Sequence, residues 1–385
     1  MNIVVVGGGF AGVKAALELA KRHVGKITLI SDETYFLHHA TLYATATGRS
    51  TAESVIPLNV IFADYPSVTI VHDKVIGLEA ERKLVRTAKK HYSYDELILA
   101  LGSVTTFFGI KGMAEHAYGI KSMAEVHSFH DHIHQEVVQK KLDKEYFVIG
   151  AGPTGVELAG ALHEYLQSLI KLNRINNSRA RVAIVEAAPR ILPRLSKTAS
   201  KIVSKQLEKA GIRVLVNNKV QALSKDSIII EGKQIPTHTA VWTSGVANNA
   251  FFSENADYFR LAPNGRVNVD EHLLARRHVY VIGDNNSVKH SGMAWPAFDQ
   301  ATFVAKHLAQ VTTKRPLVSF KSKSAPCGLP VGDGWGYVEW GGIYAAGKTG
   351  YIIRRLMELY DYRQIVAPKL AREVWRAHHI REIDL

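Results

Sequence analysis

Two glycine fingerprints in one chain constrain this sequence more than any other feature. The first, Gly7-Gly8-Gly9-Phe10-Ala11-Gly12, follows the apolar β-branched run Ile3–Val6 and precedes Val13–Ala20, which has helical spacing. A strand, a glycine turn and a helix in that order form the frame of a Rossmann dinucleotide site. Gly7 permits the tight turn, Gly9 lets the backbone approach a pyrophosphate, and Gly12 lets helix and strand pack closely. The phosphates then lie at the helix N-terminus, where free N–H groups and the helix dipole favour negative charge. About twenty residues further on, where a carboxylate normally holds the adenosine ribose, the strand Lys26–Ile30 ends at Ser31-Asp32-Glu33. Ser31 takes the place directly after the strand, and Asp32 is the candidate acid.

The second fingerprint is Gly150-Ala151-Gly152-Pro153-Thr154-Gly155, between Tyr146–Ile149 and the helical run Val156–Leu162. Past a polar loop over residues 173–180, the strand Arg181–Val185 ends at Glu186. A carboxylate there suits ribose hydroxyls and repels a 2′-phosphate, which favours NADH over NADPH. As a bare strand-end carboxylate it would bind nothing, and spacing alone leaves that open. With two complete fingerprints, the economical assignment is one site for FAD and one for a nicotinamide. A further strand, Val279–Ile282, delivers Gly283-Asp284, a turn that commonly reaches the ribityl chain of a flavin but is weak as a signal by itself.

A length of 385 residues allows two core-bearing domains and a smaller appendage. The 46% hydrophobic and 22% charged content is that of a globular protein, which excludes disordered and fibrous classes. No apolar run reaches the roughly 18 residues of a membrane-spanning helix. Met1 leads at once into a strand, so no secretory signal is expected, and the chain is placed at the cytoplasmic side of its membrane. A single cysteine, Cys327, excludes a redox disulfide, a four-cysteine iron–sulfur centre and covalent haem attachment. The net charge of +13 suits an anionic membrane surface. Nucleic acid is not expected, because no basic tract interleaves with aromatics. The 18 histidines show no metal-like spacing.

Taken together, these residues resemble the type II NADH dehydrogenases, single-subunit NADH:quinone oxidoreductases of the two-dinucleotide flavoprotein superfamily. The resemblance covers most of residues 1–310. It extends to Tyr94–Ser103, which includes Gly102, and to Phe108–Gly112 as the crossover into the NADH domain. Trp242–Val246, which includes Gly245, is similar to the return crossover, and Gly283-Asp284 to the flavin aspartate. It implies non-covalent FAD, NADH as substrate, a quinone acceptor in a respiratory chain, no metal and no proton pumping. Glu157 matches the glutamate of the family's Gly-Val-Glu motif, near the nicotinamide and flavin rings and implicated in proton handling. Its position also reads as a first-turn carboxylate favoured by the helix dipole.

The fit is poorer at the acceptor end. Where the family carries two glutamines four apart, this chain has Trp295 and Asp299, followed by Gln300. Either Trp295 stacks on a quinone while Asp299 or Gln300 supplies the polar contact, or the acceptor is oxygen. A non-enzymatic NADH-sensing flavoprotein is the remaining alternative. In the loop Tyr35–Tyr43, Ala40 replaces a proline, and His38 and His39 read as packing or surface. Arg354 and Arg355 are expected near the quinone mouth. The expected architecture is α/β: a discontinuous FAD domain (1–115 and 263–320), an NADH domain (116–262) and a C-terminal element (321–385). The last is expected to serve membrane association and a homodimer contact. Its final helix, with Leu370, Val374 and Ala377 on one face and Lys369, Arg372 and Arg376 on another, reads as an amphipathic surface anchor.

Overall fold

The computed structural model describes residues 1–175 and 180–382, so residues 176–179 of the expected polar loop lie outside the described residues. The first sheet has the strand order 274–276, 279–281, 96–99, 2–6, 26–31, 68–72. All neighbours pair in parallel except the first two strands, which are antiparallel. The second sheet, ordered 213–215, 181–185, 145–149, 240–242, is parallel throughout. Both are Rossmann-type. Ile3–Val6 and Tyr146–Ile149 are buried at every position, because a parallel sheet is covered on both faces. The two connections between the sheets pair with each other, Ser103–Thr105 antiparallel to Val246–Asn248.

The helices show where ligands belong. Helix α1 (Phe10–Lys21) starts at Gly9 with no side-chain cap. Helix α2 (Met123–Val138) starts with a full capping box, Ser122 and Glu125 satisfying each other's backbone N–H groups. Helix α3 (Pro153–Leu172) again starts uncapped, at Gly152. The two helices that open from the glycine fingerprints therefore keep their first N–H groups free, whereas α2 caps its own. Helix α4 (Ala294–Thr312) packs along α1 through Ala297, Ala301, Val304, Ala305 and Leu308.

Beyond residue 320 come a three-stranded antiparallel sheet (Cys327–Pro330, Gly336–Trp340, Ile343–Gly347), helix α5 (Lys348–Ile365) and helix α6 (Pro368–Ala377). The sheet buries Leu329, Val331 and Tyr337 in the core of the second Rossmann unit. The helices bury Tyr362, Ile365, Val366, Ala371 and Val374 in the core of the first. The C-terminal segment thus ties the two units together.

This corrects the reading of the last helix. Val374 and Ala377 of α6 are buried and Leu370 packs on the core, so the apolar face is covered by protein, while Lys369, Arg372 and Arg376 remain exposed. Periodicity reports an apolar face but not what covers it. One group of exposed large apolar side chains lies instead on the hairpin and α5: Trp340, Ile343 (79% exposed), Tyr344, Ile352, Leu356 and Tyr360. No helix among the described residues is long and apolar enough to cross a membrane.

Candidate functional site

Each glycine turn lies at the carboxyl end of its central strand, the usual place for a nucleotide on such sheets. A Cβ added at Gly12 would lie 1.9 Å from the Gly7 carbonyl oxygen, and one at Gly155 would lie 1.9 Å from that of Gly150. Neither position admits a side chain. At Gly9 and Gly152 nothing lies within 4 Å of an added Cβ, so these N-termini open onto free space that a pyrophosphate fits. Pro153 and Thr154 form the exposed first turn of α3.

The strand-end acids differ between the two units. The Glu186 carboxylate turns into its own glycine turn, accepting from the Ala151 N–H (2.8 Å) and the Ala188 N–H (2.9 Å). In the first unit the side chain facing the turn is Ser31: a Cβ on Gly8 would lie 2.4 Å from its hydroxyl, which accepts from the Glu33 N–H. Asp32 is exposed beside it, and its carbonyl accepts from His72. If Glu186 holds the ribose of the nicotinamide nucleotide, Glu186→Ala raises the KM for NADH at least about tenfold and narrows the preference over NADPH, while kcat changes little. Steady-state kinetics with both nucleotides test this.

The remaining flavin-side residues converge on the turn after strand 279–281. The Ser103 hydroxyl donates to Asp284 (3.0 Å) and accepts from the Lys121 ammonium (2.8 Å), while Asn285 exchanges two hydrogen bonds with the Gly102 backbone. Burial pulls the Lys121 ammonium below its ordinary value, and the charges of Asp284 and Glu125 oppose that. Gly283 packs on Ala11, and the Phe10 ring packs against Phe36, Phe298 and the His38 ring, with centroids 5.2 Å apart in the last case. His39 is exposed to solvent at one side, while protein crowds the rest of its ring. That enclosure, together with Lys121, lowers its imidazolium to about 4 against the pull of Asp284.

Gln300 serves this turn rather than presenting its amide to an acceptor. It is 1% exposed; its oxygen accepts from the Gly283 N–H and Asn286, and its nitrogen donates to Ser291. Trp295 donates its indole N–H to Asp361 (2.7 Å) and packs beside Tyr360, which joins α4 to α5. Asp299 is exposed one turn further along α4. Gly245 is buried where the two connections cross, against Thr106 and Phe108.

Glu157 is the fifth residue of α3, beyond the first turn, so an end-of-helix dipole preference does not account for it. It is 6% exposed, and burial raises its carboxyl to about 7 although Arg354 pulls the other way. One guanidinium nitrogen of Arg354 reaches Glu157 (3.3 Å) and the Ala40 carbonyl of the flavin-side loop (3.1 Å); the other pairs with Glu358 at 2.8 Å. Arg355 pairs with the same Glu358. Arg354 and Arg355 are therefore buried, not set at an open mouth. Cys327 lies nearby, and burial pushes its thiol up to about 11, which leaves it protonated and inert at neutral pH.

Lys121, Glu358 and Glu53 were not singled out by sequence. Lys121 sits just before the Ser122–Glu125 capping box, a motif that marks a helix start and says nothing of a flavin-side contact. Glu358 looks like any i,i+4 helix charge, and nothing local marks Glu53 as fully buried with its carboxyl raised to about 7 by that burial.

The pyridine nucleotide-disulphide oxidoreductase family pattern matches residues 1–301, and the chain belongs to that family. The type II NADH:quinone oxidoreductases of Staphylococcus epidermidis and Staphylococcus aureus are each 26% identical to it, spanning 93% of this chain and 94% of the relative. The structure of NDH2 from Plasmodium falciparum in complex with NADH is similar with a TM-score of 0.85 at 17% identity, over 98% of this chain and 97% of that one. The sulfide:quinone oxidoreductase of Aquifex aeolicus is similar at 0.80 and 18%, over 97% and 94%. At these identities the structural likenesses establish the fold.

Proposed function

We propose that this protein is an FAD-dependent, non-pumping NADH:quinone oxidoreductase working at a membrane surface. The observation that carries this reading is Arg354, which links a buried carboxylate on the nicotinamide-side helix to the backbone of the flavin-side loop. FAD bound there would supply the hydride acceptor for NADH and the two-electron donor for the quinone. The residues of this chain hold and shield the two nucleotides. The uncapped starts of α1 and α3 take the two pyrophosphates, Asp284 and Lys121 the polar flavin chain, and Glu186 the ribose of NADH. Glu157, with a carboxyl near 7, holds a proton at neutral pH and can release it to an acceptor oxygen. Trp295 and Asp299 supply the wall and polar edge of the acceptor site.

The test is anaerobic NADH oxidation with and without a short-chain quinone. Rapid quinone-dependent turnover is expected. Bleaching of the flavin absorbance by NADH with no quinone turnover would point instead to oxygen or a binding partner as the outlet.

For the membrane, the docking surface is the hairpin and α5, with Trp340 and Tyr344 at the headgroup level, Ile343, Ile352 and Leu356 among the acyl chains, and the basic face of α6 adding attraction. The double variant Ile343→Asp/Leu356→Asp is expected to lose most cosedimentation with anionic vesicles while keeping turnover of a soluble quinone. Unchanged cosedimentation would remove this surface from the reading. The same exposed surface is the candidate for a homodimer contact.

A further inference from the structure

We propose that the protein carries a structural zinc site at the edge of its second sheet, built from Glu136, Asp143 and His238, with His132 as the fourth ligand once its ring turns from Thr239. His132 and Glu136 stand one turn apart on α2. Asp143 precedes strand 145–149, and His238 precedes strand 240–242, the neighbour of that strand in the sheet. Ligand atoms of Glu136, Asp143 and His238 all lie within 4.8 Å of one another. His132 Nε2 is 3.5 Å from Glu136 Oε1, and His238 Nδ1 is 2.8 Å from Asp143 Oδ1.

Charge gives an independent argument. Glu136 and Asp143 are 7% and 8% exposed, yet among the described residues neither pairs with a lysine or arginine; their only ion-pair partners are these two histidines. Two carboxylates buried this close are costly unless a cation or a proton lies between them. Both are also aimed by supporting hydrogen bonds, as metal ligands generally are. The Tyr146 hydroxyl donates to Glu136 Oε2 (2.6 Å), and the Thr237 hydroxyl (3.1 Å) and His238 N–H (2.7 Å) donate to Asp143 Oδ2. His132 Nε2 now meets the Thr239 hydroxyl, a contact it exchanges for the ion, and His238 Nε2 lies 3.6 Å from the exposed Asp226.

One imidazole nitrogen and two carboxylate oxygens already share the site, and His132 Nε2, on leaving the Thr239 hydroxyl, would complete a tetrahedral set that suits zinc, whereas magnesium asks for a larger set of oxygens. The cluster lies at the amino ends of its strands, opposite the glycine turns. Its role is therefore to pin α2 to the sheet, not to take part in hydride transfer.

The test uses tag-free, FAD-loaded protein stripped with a chelator and titrated with zinc chloride or magnesium chloride, read by calorimetry and thermal unfolding. One zinc per chain with a rise in Tm is expected, and no response to magnesium. His238→Ala removes a half-exposed side chain without opening the core, and should weaken zinc binding by at least about 10- to 100-fold, the range seen on losing a ligand's supporting partner. Asp143→Asn should do the same. The double variant His130→Ala/His134→Ala, which removes the other imidazole pair of α2, should bind zinc like the parent. Equal affinity in the parent and His238→Ala, no zinc uptake by the parent, or loss of zinc in the double variant would each overturn the proposal.

Discussion

Glu157→Gln is expected to slow quinone turnover by about 100-fold while leaving FAD content and anaerobic flavin bleaching by NADH close to the parent, since positioned proton transfer is typically worth 10²- to 10⁴-fold. Glutamine keeps the size of the side chain and an oxygen toward Arg354, but it has no proton to give near neutral pH. The pH profile separates this role from a packing role. Burial raises the Glu157 carboxyl from 4.5 to about 7, so the protonated form is lost as pH rises through about 7, and the parent rate should fall along that limb. The variant should show a flat profile there.

The same shift has a stability consequence with a definite sign. The folded chain holds this proton more tightly than the unfolded one, so the group's contribution to stability is full below about 4.5 and is lost as pH rises through about 7. Relative to the parent, Glu157→Gln should therefore gain stability at pH 8. A variant with undiminished quinone turnover would take Glu157 out of proton delivery altogether.

What the sequence revealed follows the range of the interactions concerned. A glycine turn is local chemistry: Gly7 and Gly12 are five residues apart, and their close approach is written in the residues between. Both tight glycine turns, and Glu186 at the strand end beside the second, were accordingly legible. The partner of Glu157 was not, because Arg354 lies 197 residues away, on a helix whose charge pattern looks like an ordinary solvated face. Leu370, Val374 and Ala377 show the same limit. Their spacing predicts a buried stripe, and only the packing of α6 on the first Rossmann unit decides between protein and lipid as its cover. Ser31 is a third case, since the residue that faces the glycine turn is fixed by strand register and Asp32, one position on, is exposed.

Arg354→Met should be the most destabilising substitution in the molecule's charged interior. It removes the cation between Glu157 and Glu358, which are 6% and 0% exposed, and leaves Arg355 as the near counter-charge to Glu358. Breaking one partner out of a buried ion pair costs about 3–5 kcal/mol, because the stranded charge keeps its desolvation penalty. Methionine of similar length should limit any cavity contribution, so the loss should read as electrostatic. The pH dependence tests that reading. Without Arg354 the Glu157 carboxyl loses the charge that holds it down and rises further above about 7, so the variant is relieved where the carboxyl is protonated. The deficit in Tm against the parent should be larger at pH 8 than at pH 6, and the descending limb of quinone turnover should move to higher pH. A deficit that does not change with pH would assign Arg354 a packing role, and would leave its contact with the Ala40 carbonyl as the feature that holds the flavin-side loop in place.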